Sequence, residues 1–373
     1  MHSRNIARPT HGGESERIAA RYGIDAADIL DFSVNLNPLG APAAVRALLA
    51  DSEGFVRSLA AYPDREASRL KRALAERHGV PAEALVIANG SAALLDAVLR
   101  SFAPMHCLLP VPAFSEYRRA LAACGHRVQT IALADADEFR LDSERTIATL
   151  RRELPGVLIL TNPHNPSGAL ASRADLLAIV HAAAAVQCLV LLDEAFIDYV
   201  PEESLVAEAA AMENLVVLRS VTKFYAMPAL RVGYAVAAPA VARRIDGFLP
   251  SWPTSTLALE AATHALGDRA FERESIAQNA DRREELARDL RALGVRVLPS
   301  AANFLLLELP ASWGARERLC ERLIRSWGIL VRDCGDYEGL AARSFVRVGI
   351  KDRRSNERLV QAFHALSEME KFT

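Results

Sequence analysis

The chain has 373 residues, of which 51% are hydrophobic and 24% charged, with a formal net charge of −2. That length allows a large core and two domains. The near-neutral balance, without any block of like charges, gives no support for nucleic acid or an anionic membrane as a partner. Basic residues are expected to serve locally, against small anions.

The opening MHSRNIARPTHGGESERIAA lacks the apolar region of a signal peptide. The longest apolar-looking run, Ala178 to Leu192, is interrupted by His181 and Gln187 and meets Asp193 and Glu194, so it is not expected to span a bilayer. Cys107, Cys124, Cys188, Cys320 and Cys334 are dispersed without C-x-x-C spacing. Such a set predicts reduced thiols in a cytoplasm, and neither a disulfide framework nor a metal site.

Between about Leu70 and Ala238, short apolar runs alternate with helical patterns. Strands are predicted at Leu85–Ala88, Cys107–Pro110, Arg127–Ile131, Val157–Thr161, Cys188–Leu192, Leu215–Arg219 and Val232–Val236. Helices are predicted between several of them, as at Ser91–Ser101 and Arg173–Ala185. This alternation predicts an α/β domain with a mainly parallel, seven-stranded sheet between helices, whose ligand lies at the carboxyl ends of the strands. After Pro250 come helices Ser255–Ala265 and Ala270–Leu293, strands Val295–Leu298, Asn303–Glu308 and Phe345–Val348, and a terminal helix near Asn356–Met369. Residues 46–250 are thus expected to form the large domain, and 1–45 with 251–373 a smaller α+β domain.

Four strand ends carry polar residues that a core would not want. After LVIA, the turn NGSAALL (Asn89–Leu95) opens a helix whose free N–H groups and dipole suit a phosphate; alternatively it is an ordinary turn capped by Ser91. TNPHNPSG (Thr161–Gly168) makes a tight turn from which Asn165 can donate to a ligand oxygen. In LLDEAFIDY, Asp193 follows an apolar strand, and it either faces a cation or caps the next helix. SVTKFYAMPALRVGY (Ser220–Tyr234) sets Lys223 among apolar neighbours, with Ser220 and Thr222 beside it and Arg231 eight residues on.

A lysine so placed is favoured in its neutral form, which can form an imine with an aldehyde; the hydroxyls and guanidinium suit a phosphate. Together with Phe114 in PVPAFSEY, the set offers an amine, an aromatic, an amide, a carboxylate and a phosphate cradle. Pyridoxal 5′-phosphate needs each of these.

These motifs resemble the fold-type-I pyridoxal-phosphate enzymes of the aminotransferase class I/II superfamily, over essentially the whole chain. The resemblance rests on S-x-T-K with Arg231 downstream, D-E-A-F and N-P-x-G. It implies Lys223 and Asp193 as catalytic residues, with Asp193 meeting the ring nitrogen. It implies phosphate binding by Ser91, Ala92, Ser220, Thr222 and Arg231, stacking by Phe114, and contact of Asn165 with the ring oxygen and the substrate. Tyr62, in AAYPD, matches a tyrosine that reaches the cofactor of a neighbouring subunit, which implies a homodimer.

Two groups in the superfamily compete, histidinol-phosphate aminotransferases and L-threonine-O-3-phosphate decarboxylases of cobalamin synthesis. HGGESERIAARYGI followed by ILDFSVNLNPLGAP resembles the second. By that resemblance His11, Gly12 and Asn35 bind the substrate, while Arg332 and Arg347 hold its anionic groups. Two departures stand out: Phe196 occupies a position where aminotransferases usually carry a tyrosine bonded to the ring oxygen, and Ala229 one where glycine is frequent. The rival from another class is a non-enzymatic, cofactor-binding regulatory or structural protein; it is the weaker expectation, because regulators of this superfamily carry an added DNA-binding domain for which 373 residues are not expected to leave room.

Overall fold

A computed structural model describes residues 12–369. The larger of its two compact units comprises Leu36–Asp281 and Pro299–Asn303. Its sheet has the spatial order Leu85–Ala88, Gly233–Ala237, Leu215–Ser220, Leu189–Asp193, Val157–Thr161, His106–Val111, Arg127–Ala132. Six strands run one way and Gly233–Ala237 runs against both its neighbours. The chain is therefore a mixed α/β protein with a mostly parallel central sheet.

The apolar runs form strands because helices cover both faces of the sheet. Leu189 and Leu191 enter one core, Val190 and Leu192 the other, the alternation that a pleated strand imposes. Helices Ser91–Arg100, Ser115–Ala123 and Pro239–Asp246 supply the first core with Leu94, Leu121 and Ile245. Helices Ser68–His78, Arg173–Ala185 and Thr256–Leu266 supply the second with Leu74, Ile179 and Ala261. Val45 is buried in that second core, so the helix Ala43–Ala50 belongs to this unit as well. Ser172 and Ser255 cap their helices by accepting the amides of Asp175 and Ala258.

The smaller unit takes residues up to Asn35, Arg282–Leu298 and the chain from Phe304 onward. Four antiparallel strands lie in the order Arg332–Asp333, Phe345–Gly349, Phe304–Glu308, Arg296–Val297. Leu30–Asp31 pairs in parallel with Ile329–Leu330. The terminal helix begins at Arg353 rather than near Asn356, because Asp352 accepts the Ser355 amide (3.0 Å) and hydroxyl (2.6 Å) and caps it one turn earlier. Among the described residues, no helix is long and apolar enough to cross a membrane, and no group of three or more His, Cys, Asp or Glu side chains could hold a metal ion. All five cysteines are unpaired thiols.

Candidate active site

In the larger unit the strand ends bring most of the singled-out residues together. Asp193 ends its strand buried, paired in register with Thr161 on one side and Leu218 on the other. Its Oδ1 accepts the Ala195 amide at 2.9 Å, and its Oδ2 accepts the Tyr117 hydroxyl at 2.7 Å. Burial pushes its pKa up; the Tyr117 bond, the Lys223 charge and the Ala195 amide oppose that. Asp193 thus both faces a cation and caps the following turn. Lys223, on the short helix Val221–Phe224, sets its amine 5.2 Å from the centroid of the Phe196 ring. Phe114 meets Tyr117 edge-on at 5.8 Å. A chain of contacts therefore runs from Phe114 through Tyr117 and Asp193 to Lys223 and Phe196.

Glu194, next in sequence, is engaged elsewhere. It is fully buried against Ser204 (2.5 Å), the Leu205 amide (2.7 Å) and Arg219 (3.2 Å), while Arg219 also holds Asp198 at 2.6 Å. In the D-E pair, then, Asp193 joins the group around Tyr117 and Lys223, while Glu194 joins the buried Arg219 cluster.

The turn that opens the helix at Ser91 is built around close backbone approach. Gly233 pairs with Ala88 on one side and Ser220 on the other, and a Cβ there would stand 2.7 Å from the Ser91 amide nitrogen. Gly90 has φ +83°, and a Cβ on it would stand 2.5 Å from Arg231 Nη2. Glycine at both positions lets the Arg231 guanidinium lie against the turn that opens the helix at Ser91 and Ala92. The Ser220 and Thr222 hydroxyls bond each other at 2.8 Å. Gly90 takes the cap position and no side chain caps this helix, so Ser91 does not act as the N-cap, and the first amides stay available for an anion. Ala229 lies in the one-turn helix Pro228–Leu230; the left-handed positions are its neighbours Ala226 and Arg231, so alanine is accommodated at 229.

Asn165 is buried in its turn. Beside it His164 bonds the Pro112 carbonyl through Nε2 (2.9 Å) and the Ser167 hydroxyl through Nδ1 (2.7 Å). A carbonyl only accepts, so Nε2 carries the proton and Nδ1 accepts from Ser167. His164 thereby ties the Asn165 turn to the turn that carries Phe114. Asn37 donates to the Phe224 carbonyl (2.9 Å) and to Ser275 Oγ (2.7 Å), and its amide donates to the Lys223 carbonyl (3.2 Å). Tyr117, His164 and Asn37 were not singled out in the sequence. All three lie within the quoted motifs, yet nothing local distinguishes them from core residues. Tyr62 stands apart from this group, 78% exposed and stacked on Trp252 at 4.4 Å.

In the smaller unit Arg332 and Arg347 are register partners on neighbouring strands, both buried. Arg332 pairs with Asp336 at 2.7 Å and lies over the Tyr337 ring; Arg347 lies over the Phe304 ring and donates to the Ser33 carbonyl at 3.1 Å. Gly12 packs on that same carbonyl, Gly13 donates to Ser33 Oγ (3.3 Å), and Asp31 accepts the Ser33 amide (2.8 Å) and the Ser15 hydroxyl (2.7 Å). Asn35 is buried, and its Oδ1 has no partner among the described residues. His11 lies outside the described residues.

Residues 27–363 match the family model for aminotransferase class I and II. The chain belongs to that family. Among its relatives, threonine-phosphate decarboxylase of Salmonella typhimurium is 36% identical, over 94% of this chain and 95% of that one. Histidinol-phosphate aminotransferase of Anaeromyxobacter is 32% identical, over 94% of each. Among solved structures, L-threonine-O-3-phosphate decarboxylase of Porphyromonas gingivalis superposes with a TM-score of 0.78 at 26% identity, over 90% of this chain and 99% of that one.

Proposed function

We propose that this enzyme removes the carboxylate of L-threonine O-3-phosphate as CO₂, leaving (R)-1-aminopropan-2-yl phosphate for the cobalamin nucleotide loop. The observation that carries it is the 36% identity to the Salmonella decarboxylase along nearly the whole chain, with the H-G-G and LDFS-x-N segments of the decarboxylase pattern present.

The cofactor is pyridoxal 5′-phosphate, which, when bound, accepts the electron pair left at Cα as the carboxylate departs. The residues fit it. The cradle that a Cβ at Gly90 or Gly233 would fill suits a phosphate, and Lys223 and Asp193 supply the amine and the carboxylate within one group. In this reading Ser91, Ala92, Ser220, Thr222 and Arg231 hold the phosphate, Phe114 and Asn165 hold the ring, and Asp193 faces the ring nitrogen. Lys223 would attach the cofactor, and Lys223 or a water would return a proton to Cα. Gly12, Asn35, Asn165, Arg332 and Arg347, with His11, bind the substrate, whose carboxylate and phosphate match two guanidiniums. Tyr62 serves the cofactor of a second subunit in a homodimer. Its exposure, with that of Leu59, Val56 and Trp252 around it in sequence or space, supports this role, since large apolar side chains at such positions mark contact surfaces. The enzyme works in the cytoplasm.

The test is product analysis. Purified holoprotein is incubated with threonine phosphate and with histidinol phosphate, with and without 2-oxoglutarate. Release of CO₂ from threonine phosphate without an oxo acid supports the proposal. Turnover of histidinol phosphate that requires 2-oxoglutarate, without CO₂ release, would replace it with transamination, the reaction named in the Anaeromyxobacter relative. Borohydride reduction should fix the cofactor on the peptide that contains Lys223.

A further inference from the structure

Asp193 has two carboxylate oxygens, and the fold occupies them differently. Oδ1 is held from within its own turn by the Ala195 amide. Oδ2 is held from another element, by Tyr117 on the helix Ser115–Ala123, 76 residues away in sequence. A carboxylate only accepts, so the Tyr117 hydroxyl donates to Oδ2. The Thr161 hydroxyl, 2.9 Å from the same phenol oxygen, must then be the donor to Tyr117. Thr161, Tyr117 and Asp193 form a directed relay that ends on the carboxylate, and each bond polarises the next. Tyr117 is itself fixed, 2% exposed and wedged edge-on against Phe114.

We propose that Tyr117 is a positioning residue of the reaction: its hydroxyl sets the plane of Asp193 beside Lys223 and holds the carboxylate as the anion that faces the cofactor's ring nitrogen. This rests on the cofactor reading above. Burial is the largest effect on the carboxylate and leaves its pKa raised; Tyr117, Lys223 and the Ala195 amide each favour the charged form against it. With the phenol donor in place, Asp193 is the weaker base, and a proton between it and a ring nitrogen stays on the ring. Without that donor the proton moves toward the carboxylate, and both cofactor affinity and the electron-accepting power of the ring decline. Substrate anions are bound by other residues, so their affinity is unaffected.

The experiment is a double-mutant cycle of Tyr117→Phe and Asp193→Asn. It measures the cofactor dissociation constant by titrating apoprotein with pyridoxal 5′-phosphate, and kcat and KM for threonine phosphate in the holoprotein. Tyr117→Phe should raise the dissociation constant about tenfold and lower kcat by a similar factor, the size of one charge-assisted hydrogen bond, with KM within about twofold of wild type. In the Asp193→Asn background the same change should add less than about twofold. Thr161→Val, which removes only the hydroxyl donated to Tyr117, should move both quantities in the same direction by a smaller factor. An equal effect of Tyr117→Phe in both backgrounds, or a change confined to KM, would overturn the proposal. If Asp193→Asn itself leaves cofactor binding and kcat unchanged, the cofactor reading falls, and this inference with it.

Discussion

Arg332 and Arg347 stand directly opposite each other on antiparallel strands, 4% and 6% exposed. Like charges in that relation repel, and burying a guanidinium is unfavourable unless it is matched. Arg332 pairs with the Asp336 carboxylate, and Arg347 donates to the Ser33 carbonyl. In the proposed function these two guanidiniums receive the substrate's anionic groups. Inorganic phosphate at millimolar concentration should raise the melting temperature of the wild-type protein by mass action, and Arg347→Ala should abolish most of that rise. Arg332→Ala and Arg347→Ala should each lower kcat/KM by about 2–3 kcal/mol, one or two charge-assisted bonds. Near-normal kcat/KM of both variants on every phosphorylated substrate tested would remove the arginines from the site.

Gly12 bears on the same carbonyl. A Cβ on residue 12 would come 2.4 Å from the Ser33 oxygen, the atom that accepts from Arg347. The obstacle is backbone, so relief requires the carbonyl to move and the guanidinium with it. Gly12→Ala should therefore raise KM for the anionic substrate roughly tenfold, about the loss of one such hydrogen bond, with kcat retained. Cofactor affinity serves as the control. A parallel fall in cofactor affinity would show general disruption rather than an effect on Arg347.

The parts of the fold legible in the sequence are those whose pattern is local. LVIA and LVLL read as strands because a strand covered on both faces is apolar without interruption, and both lie within a residue of their predicted bounds. NGSAALL and S-V-T-K read as site elements because polar residues follow such strands. The strand order could not be read, since neither the reversed strand Gly233–Ala237 nor its place between Leu85–Ala88 and Leu215–Ser220 leaves a periodic trace. The two-residue strands Leu30–Asp31 and Arg332–Asp333 are too short to show any period. The partnership of Tyr117 with Asp193 and that of Gly12 with the Ser33 carbonyl are products of tertiary approach. The resemblance named Asp193 and Gly12, whereas Tyr117 was marked only by its place in the Phe114 motif.

His164 gives a prediction about pH. Burial pulls its pKa down to about 4 from an ordinary 6.5, partly opposed by its bond to the Pro112 carbonyl. The unfolded chain therefore binds a proton at a pH where the folded protein does not. The neutral imidazole's contribution to stability is complete above about pH 6.5 and is lost as the pH falls toward 4. Between pH 7 and pH 5 that loss amounts to about 2 kcal/mol. His164→Gln should flatten the dependence of unfolding free energy on pH over this window by that amount, whatever its effect at pH 7. An unchanged slope would mean that the imidazole titrates normally and that the tie between the Phe114 and Asn165 turns is open in solution.

Phe196 offers the most direct reading of the cofactor's electronics. Its ring is 3% exposed and meets the Lys223 amine face-on at 5.2 Å, so a group added to that ring enters the same buried space. In the proposed reading Lys223 would hold the cofactor with its nitrogen beside the phenolic oxygen, and Asn165 would donate to that oxygen. A tyrosine at 196 would bring a second donor, which stabilises negative charge on the oxygen and weakens its hold on a proton shared with Lys223. Phe196→Tyr should accordingly lower the pH midpoint at which the visible band of the resting holoprotein gives way to its shorter-wavelength form. One good hydrogen bond corresponds to a shift of about one pH unit, or about 1.4 kcal/mol. The absorbance titration of wild type and variant decides it. A midpoint that stays or rises would mean that residue 196 faces Lys223 without reaching the ring oxygen, and phenylalanine there would then be a packing choice rather than an electronic one.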